Sequence, residues 1–251
     1  MEIPTDNIGE ARPKTDRSLY GREYGEVQGR GVATEYLKIL DENLTGKEGR
    51  VLELGSGSGA LLPFLESKFG EKNVIGLDIN PWIIRNSHFN KEKNIIEGDI
   101  ESLPIASSSI DRIVSLHTFE HAPDLKMALQ EVERILAPGG EAIIVVPRPQ
   151  FKMRQMGALV DTLRMYSGID HLKEAWVKAE GNKVLAVWDQ LKKAWDKAGE
   201  YHVQNVTPEK VEEANIHLSI KGETVFVPSE MGSAWVITLR KDKENEEPKT
   251  M

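Results

Sequence analysis

Val51-Leu52-Glu53-Leu54-Gly55-Ser56-Gly57-Ser58-Gly59-Ala60 is the stretch that decides the fold. A short apolar strand runs into three glycines at alternate positions, and a helical pattern comes next. Glycine lets the backbone turn sharply and lets a ligand approach without a Cβ in the way. Junctions of this strand–loop–helix kind hold nucleotide-like cofactors in doubly wound α/β proteins. Two further acids stand downstream. Asp78 closes the apolar run Val74-Ile75-Gly76-Leu77, and Asp99 comes after Ile95-Ile96-Glu97-Gly98. Three apolar runs, each with an acid at or near its end, put three carboxylates on one edge of a sheet.

Two cofactor classes fit a glycine-rich first turn. Gly55, Gly57 and Ala60 satisfy the dinucleotide pattern G-x-G-x-x-G/A, and Asp78 lies near the ribose-acid spacing. An NAD-dependent oxidoreductase therefore fits the loop taken alone. Three features pull away from it. Glu53 lies inside the strand, where a carboxylate suits a cationic ligand group and is ill placed beside a pyrophosphate. No Lys or Arg stands in or beside the loop. Asp99 has no role in the dinucleotide fingerprint.

With these motifs in order, residues 50–147 resemble the cofactor half of class I S-adenosylmethionine-dependent methyltransferases. The branch they resemble includes quinone-biosynthesis and other small-molecule enzymes (the methyltransferase type 11 domain). The matching text is Glu53-x-Gly55-x-Gly57-x-Gly59, Gly76-Leu77-Asp78, Glu97-Gly98-Asp99-Ile100, Phe119-Glu120-His121-Ala122-Pro123-Asp124 and Leu136-Ala137-Pro138-Gly139-Gly140. The likeness thins after Pro147 and returns loosely from Tyr201 to Arg240. It implies S-adenosyl-L-methionine as cofactor and S-adenosyl-L-homocysteine as product. Gly55, Ser56 and Gly57 would then pass beneath the methionine part, with Glu53 near its amino group through water. Asp78, followed by Ile79, would take the ribose hydroxyls, since one carboxylate accepts from both. Asp99 would accept from the adenine amino group and the Ile100 amide would meet the ring. Leu116 and His117, closing the fourth strand, would line the methionine side.

Length and composition suit an enzyme of this kind. A chain of 251 residues fits one α/β domain with an insertion, and 39% apolar content supplies a sizeable core. The absence of cysteine excludes disulfides, thiolate metal sites and a Cys nucleophile. No His/Asp/Glu spacing has the look of a metal site. No run reaches the roughly 20 apolar residues of a membrane helix, and the polar start lacks a secretion signal, so a cytoplasmic location is the expectation. A net charge of −8 argues against a wholly electrostatic nucleic-acid binder. The charge is uneven, however. Arg148–Ala198 holds ten Lys/Arg against six Asp/Glu, a net of +4, so the rest of the chain carries −12.

The periodicity predicts a Rossmann-like, doubly wound, mostly parallel seven-stranded sheet. Buried parallel strands are expected at Val51–Leu54, Val74–Leu77, Ile110–Leu116 and Ala142–Val146, with a shorter one at Asn94–Glu97. Thr224–Val227 and Ala234–Leu239 would close the sheet as an antiparallel pair. Helical spacing marks Leu19–Leu40 and Asp124–Leu136, the second capped by Asp124 and stopped by Pro138-Gly139-Gly140. Thr207-Pro208 starts another helix, to about Ala214. The organisation expected is a flexible arm at 1–17, a cofactor-binding core at 18–147, a helical cap at 148–200, completion of the sheet at 201–240 and a disordered tail at 241–251. The cap carries Trp176, Trp188 and Trp195 and leaves from the strand ends that face the cofactor, which suits a lid.

Methyl transfer from a sulfonium rests largely on positioning and on exclusion of water. A base is wanted only where the acceptor must shed a proton early, and histidine is the natural candidate. His117, His171 and His202 are the catalytic candidates, whereas Glu120-His121 reads as architecture. Tyr20 and Arg22, in Ser18-Leu19-Tyr20-Gly21-Arg22, are candidates to close over the cofactor, Arg22 by pairing with a carboxylate or an anionic substrate. The favoured acceptor is an O, N or C atom on a small molecule under the cap. RNA or protein docking on the basic insertion is a competing reading, as are an NAD-dependent oxidoreductase and a cofactor-binding protein without catalysis. The sequence leaves the oligomeric state open.

Overall fold

A computed structural model describes residues 32, 34–46, 48–86, 94–148, 205–227 and 232–243. The expected arm, most of the cap, the chain end and the positions Tyr20, Arg22, His171, His202, Trp176, Trp188 and Trp195 lie outside the described residues. Helix α1 spans Thr34–Asn43, β1 Val51–Leu54, α2 Leu62–Phe69, β2 Val74–Asp78 and α3 Pro81–Asn86. Strand β3 lies at Ile95–Glu97, β4 at Ile110–Leu116, α4 at Leu125–Ile135 and β5 at Leu136–Pro147. Helix α5 (Pro208–Glu213) leads to β6 (Ser219–Val227) and β7 (Gly232–Arg240).

The seven strands form one sheet in the order β3-β2-β1-β4-β5-β7-β6. The first five pair in parallel, and β7 runs antiparallel to both β5 and β6. The Rossmann-like sheet with an antiparallel final pair is thus the one the apolar runs predict. Alternate residues of the inner strands feed two cores, as a period of two requires. Leu52, Leu54, Ile113, Ile144 and Val146 pack with α4 and α5 on one face. Val51, Val114, Ile143 and Val145 pack with α1 and α2 on the other. Strands buried on both faces have no polar alternation, and for that reason they read as continuous apolar runs.

Four strands are longer than predicted, β2 by Asp78 alone. β5 begins at Leu136 rather than Ala142, β6 at Ser219 rather than Thr224, and β7 spans Gly232–Arg240 rather than Ala234–Leu239. In each case the added residues are polar, glycine-rich or near a strand end, so an apolar-run criterion does not see them. The N-caps are where the sequence puts them, whereas Pro138-Gly139-Gly140, expected to stop α4, lies inside β5, the helix having ended at Ile135. Asp124 accepts from the Met127 amide at 3.0 Å, and Thr207 from the Lys210 amide at 3.4 Å. Among the described residues no helix is long and apolar enough to cross a membrane.

The chain builds outward from β1 to β2 and β3, then crosses back to start β4 on the other side of β1. That reversal opens a crevice at the carboxyl ends of β1 and β4, the place where open α/β sheets take ligands.

Candidate active site

Segments at the carboxyl ends of β1, β2, β3 and β4 line the crevice. Gly55 and Gly57 come from the first loop, Leu77, Asp78, Ile79, Asn80 and Ile83 from the second, and Gly98, Asp99 and Ile100 from the third. Leu116, His117, Thr118, His121 and Ala122 close it from β4. It encloses roughly 640 Å³ of empty space, a figure that includes open solvent at its mouth.

The glycine loop is built by backbone conformation. Gly55, Gly57 and Gly59 have φ of 73°, 52° and 80°, values that side chains disfavour. A Cβ on Gly55 would also run into the Thr118 side chain. The Gly55 and Ser56 amides donate to Leu77 O at 2.8 and 2.9 Å, which ties the loop to the end of β2. Asp78 completes the tie: its carboxylate accepts from the Gly57 amide at 2.7 Å and the Asn80 amide at 2.8 Å. Burial pushes the Asp78 carboxyl up, and the amides of Asn80, Gly57 and Ile79, with His121, pull part of the way back.

Glu53 sits two residues below Gly55 and is 4% exposed. Burial, with the charge of Asp78 added, holds its carboxyl well above the usual carboxylate range. Its Oε2 has no hydrogen-bond partner. A buried oxygen without a donor calls for one, and a cationic amino group reached directly or through water answers that call. Asp99 lies beyond β3 and accepts from the Glu101 amide at 3.0 Å. Burial and the charges of Asp99 and Asp124 raise Glu101, while the Asp124 amide, at 2.7 Å from Glu101 Oε1, lowers it.

Histidine 117 is held in the left-handed region at φ 52°. Its amide donates to Val145 O at 2.8 Å. Nε2 lies 2.6 Å from the Tyr36 hydroxyl, and the two rings meet edge to face with centroids 5.1 Å apart. Nδ1 faces Glu120 Oε1 at 3.6 Å, and His121 Nε2 is 4.0 Å from the same oxygen. Burial favours the neutral form of Glu120, but His117 and His121 outweigh it, and the carboxyl stays below its ordinary range.

Of the residues singled out in the sequence, Gly55, Gly57, Asp78, Ile79, Asp99, Ile100, Leu116 and His117 come together in the crevice. Glu53 and Ser56 lie beneath its lining, both buried. Leu77, Asn80, Ile83, Gly98, Thr118 and Ala122 also line it, although the sequence pattern does not mark them as lining residues. Asn80 carries a signal nonetheless: it precedes Pro81 and caps α3, accepting from the Trp82 amide at 3.0 Å. Tyr36 carries none, since it stands 81 residues from its partner.

A ligand with cationic groups suits this crevice. Asp78 and Asp99 line the crevice with Glu53 below them, and among the described residues no Lys or Arg lines it. A pyrophosphate would meet repulsion here, whereas a sulfonium and an ammonium group would meet attraction. Among the described residues, no group of three His, Asp or Glu side chains could hold a metal ion.

Comparison with known proteins agrees with this chemistry. The family described as "Methyltransferase domain" matches residues 52–144. The Arabidopsis thaliana protein 2-methyl-6-phytyl-1,4-hydroquinone methyltransferase, chloroplastic, is 32% identical over 130 residues, covering 49% of this chain and 38% of the relative. The chain therefore spans well under two thirds of that relative's length. The structure of a SAM-dependent methyltransferase from Aquifex aeolicus superposes with a TM-score of 0.51 at 17% identity, over 90% of this chain and 99% of that one. The [4+2]-cyclase SpnF does so with 0.54 at 12%, over 94% and 100%. These likenesses establish a shared fold, and the cyclase shows that the fold alone does not dictate a reaction. Residues 52–144 form a methyltransferase domain of the class I S-adenosylmethionine-dependent type. Family and fold imply S-adenosylmethionine as the cofactor.

Proposed function

We propose that this protein transfers a methyl group from S-adenosylmethionine to an O, N or C atom of a small molecule held at the carboxyl ends of β1 and β4. The observation that carries the reading is the acidic crevice closed by a glycine loop, with no Lys or Arg among its described lining residues. Asp78 takes the two ribose hydroxyls, and Asp99 with the Ile100 amide takes the adenine. Gly55 and Gly57 run beneath the methionine portion, and Glu53 receives its amino group. Leu116 and His117 wall the methyl side. When bound, the cofactor supplies a methyl group on a sulfonium whose departure leaves a neutral thioether. The chain's part is to hold both reactants, to keep water out and, at His117, to receive a proton from acceptors that carry one. A small aromatic or otherwise apolar acceptor is supported by the hydroquinone methyltransferase relative.

Two measurements test this. Calorimetry with S-adenosylmethionine, S-adenosylhomocysteine and NAD reads the cofactor: binding of the first two and not the third is expected, and NAD binding alone overturns the reading. Transfer of labelled methyl groups into extract fractions reads the acceptor, with label expected in the small-molecule fraction. One observation favours a second reading. The segment Arg148–Ala198 is the basic part of an acidic chain, which suits docking of RNA or an acidic protein. Label in those fractions would select it.

A further inference from the structure

We propose that Tyr36 and Glu120 are positioning residues for His117, holding the imidazole at both nitrogens and fixing which of them carries the proton. The inference rests on the methyltransferase reading of the crevice. His117 lines that crevice, whereas Tyr36 and Glu120 stand behind it. Tyr36 is 4% exposed on α1 and Glu120 2% exposed on the turn Phe119–His121.

Three observations converge on the ring. The first is the short contact of 2.6 Å between Nε2 and the Tyr36 hydroxyl. The second is the buried Glu120 carboxylate, whose oxygens have no hydrogen-bond partner and whose Oε1 faces Nδ1 at 3.6 Å, an electrostatic contact. The third is the positive φ of His117, a conformation that costs free energy and persists where surroundings enforce it. A ring hydrogen-bonded at Nε2 and facing a buried carboxylate at Nδ1, on a strained backbone, at the wall of a ligand site, is a pre-set group. Glu120 accepts only, so it orders Nδ1–H toward itself and leaves Nε2 to accept from the Tyr36 O–H.

That order sets the proton balance. With Nε2 engaged by the Tyr36 hydroxyl, a proton from the acceptor's O–H or N–H reaches Nε2 by way of that hydroxyl, which passes its own proton on. The ring gains one positive charge, and the Glu120 anion, buried beside it, stabilises that charge. Tyr36 from α1 and Glu120 from the turn Phe119–His121 are titratable groups that face the ring. His121 stands next to Glu120, and β5 contributes the uncharged Val145. The substrate class this serves is an acceptor with a proton to lose, such as a phenol or an enol.

The test reads the ring itself. The full chain, labelled with 15N-histidine, is titrated by long-range 1H–15N NMR as wild type, Tyr36→Phe and Glu120→Gln, with His117→Asn to assign the signals. In the wild type the neutral ring should carry its proton on Nδ1. Glu120→Gln should move the His117 midpoint to lower pH, because an anion beside the imidazolium is gone. Tyr36→Phe should shift the Nε2 resonance and let the two tautomers mix. If Glu120→Gln fails to fold, Tyr36→Phe decides by itself. A midpoint and tautomer unchanged in every folded variant overturns the proposal. Calorimetry with S-adenosylhomocysteine separates this from the reading beneath it. Wild-type binding with an unchanged His117 sinks the positioning role alone; no wild-type binding sinks the methyltransferase reading and this proposal with it.

Discussion

A buried carboxylate oxygen without a donor raises the free energy of the folded chain whenever the group is ionised, and Glu53 is in that position. Its folded-state pKa lies above the unfolded value, with burial as the main cause and Asp78 adding to it. Glu53 therefore costs nothing below the unfolded pKa, and stability falls as pH rises from there through the folded value. Glu53→Gln removes that titration. Thermal melts without ligand should show the variant more stable than wild type at about pH 8, and the difference should vanish near pH 4. The same variant should bind S-adenosylmethionine at least about tenfold more weakly, because a neutral amide no longer attracts an ammonium group. Asp78→Ala should likewise lose about tenfold or more in affinity. In that variant the Gly57 amide also loses its acceptor, so a glycine loop freed to move should show as faster amide exchange at Gly57. Retained affinity would remove Asp78 from the ribose role. The placement of Glu53 and Asp78 at the crevice was legible because it follows from short spacing to a glycine loop. The Tyr36–His117 contact was not, because nothing local links two residues 81 positions apart.

The elements that carry Asp99 are tied down by one helix. Arg134 on α4 forks onto Glu131, with Nε to Oε1 and Nη2 to Oε2, both at 2.7 Å. The same guanidinium donates to Ile105 O at 2.7 Å and Leu103 O at 3.0 Å, and Glu131 Oε2 accepts from the Leu103 amide. The chain after β3 is thus laced to α4, with Glu101 holding the Asp124 amide at the helix start. Arg134→Ala should cost about 1.5–3 kcal/mol by urea unfolding, the range for hydrogen bonds to charged groups. Arg134→Lys should recover little of it, because an ammonium cannot make the fork. A cost under about 0.5 kcal/mol, typical of an exposed pair, would show that the loop stands without the lacing. Helix α4 itself was legible because Asp124 caps it and the apolar face repeats. The early parts of β5 and β6 were not, since Pro138-Gly139-Gly140 and Lys221-Gly222-Glu223 bury little. What fixes Gly222 is tertiary: a Cβ there would collide with Pro208 of α5.

Charge is the property that belongs to the whole molecule, and it separates the two readings of the acceptor. Outside Arg148–Ala198 the chain carries −12, and that segment carries +4. The crevice is acidic as well, with Asp78 and Asp99 on its wall. A polyanion such as RNA would be repelled by the body and held only by the basic segment. Counterion release would make its binding fall linearly in log–log terms with salt, by about 0.7 to 0.9 in slope for each phosphate neutralised. An uncharged small molecule in the crevice releases no counterions, and its apparent KM should change little between about 50 and 200 mM salt. Charge near a distant surface is screened within a Debye length of about 10 Å at 0.1 M, so a single anionic group on a small substrate should give a shallow slope at most. Initial rates of label transfer across that salt range, with the methylated fraction as acceptor, therefore discriminate. A flat profile is expected, and it supports a small molecule recognised by shape and burial. A steep fall, larger than one or two charges can produce, would make Arg148–Ala198 the docking surface and move the acceptor out of the small-molecule class.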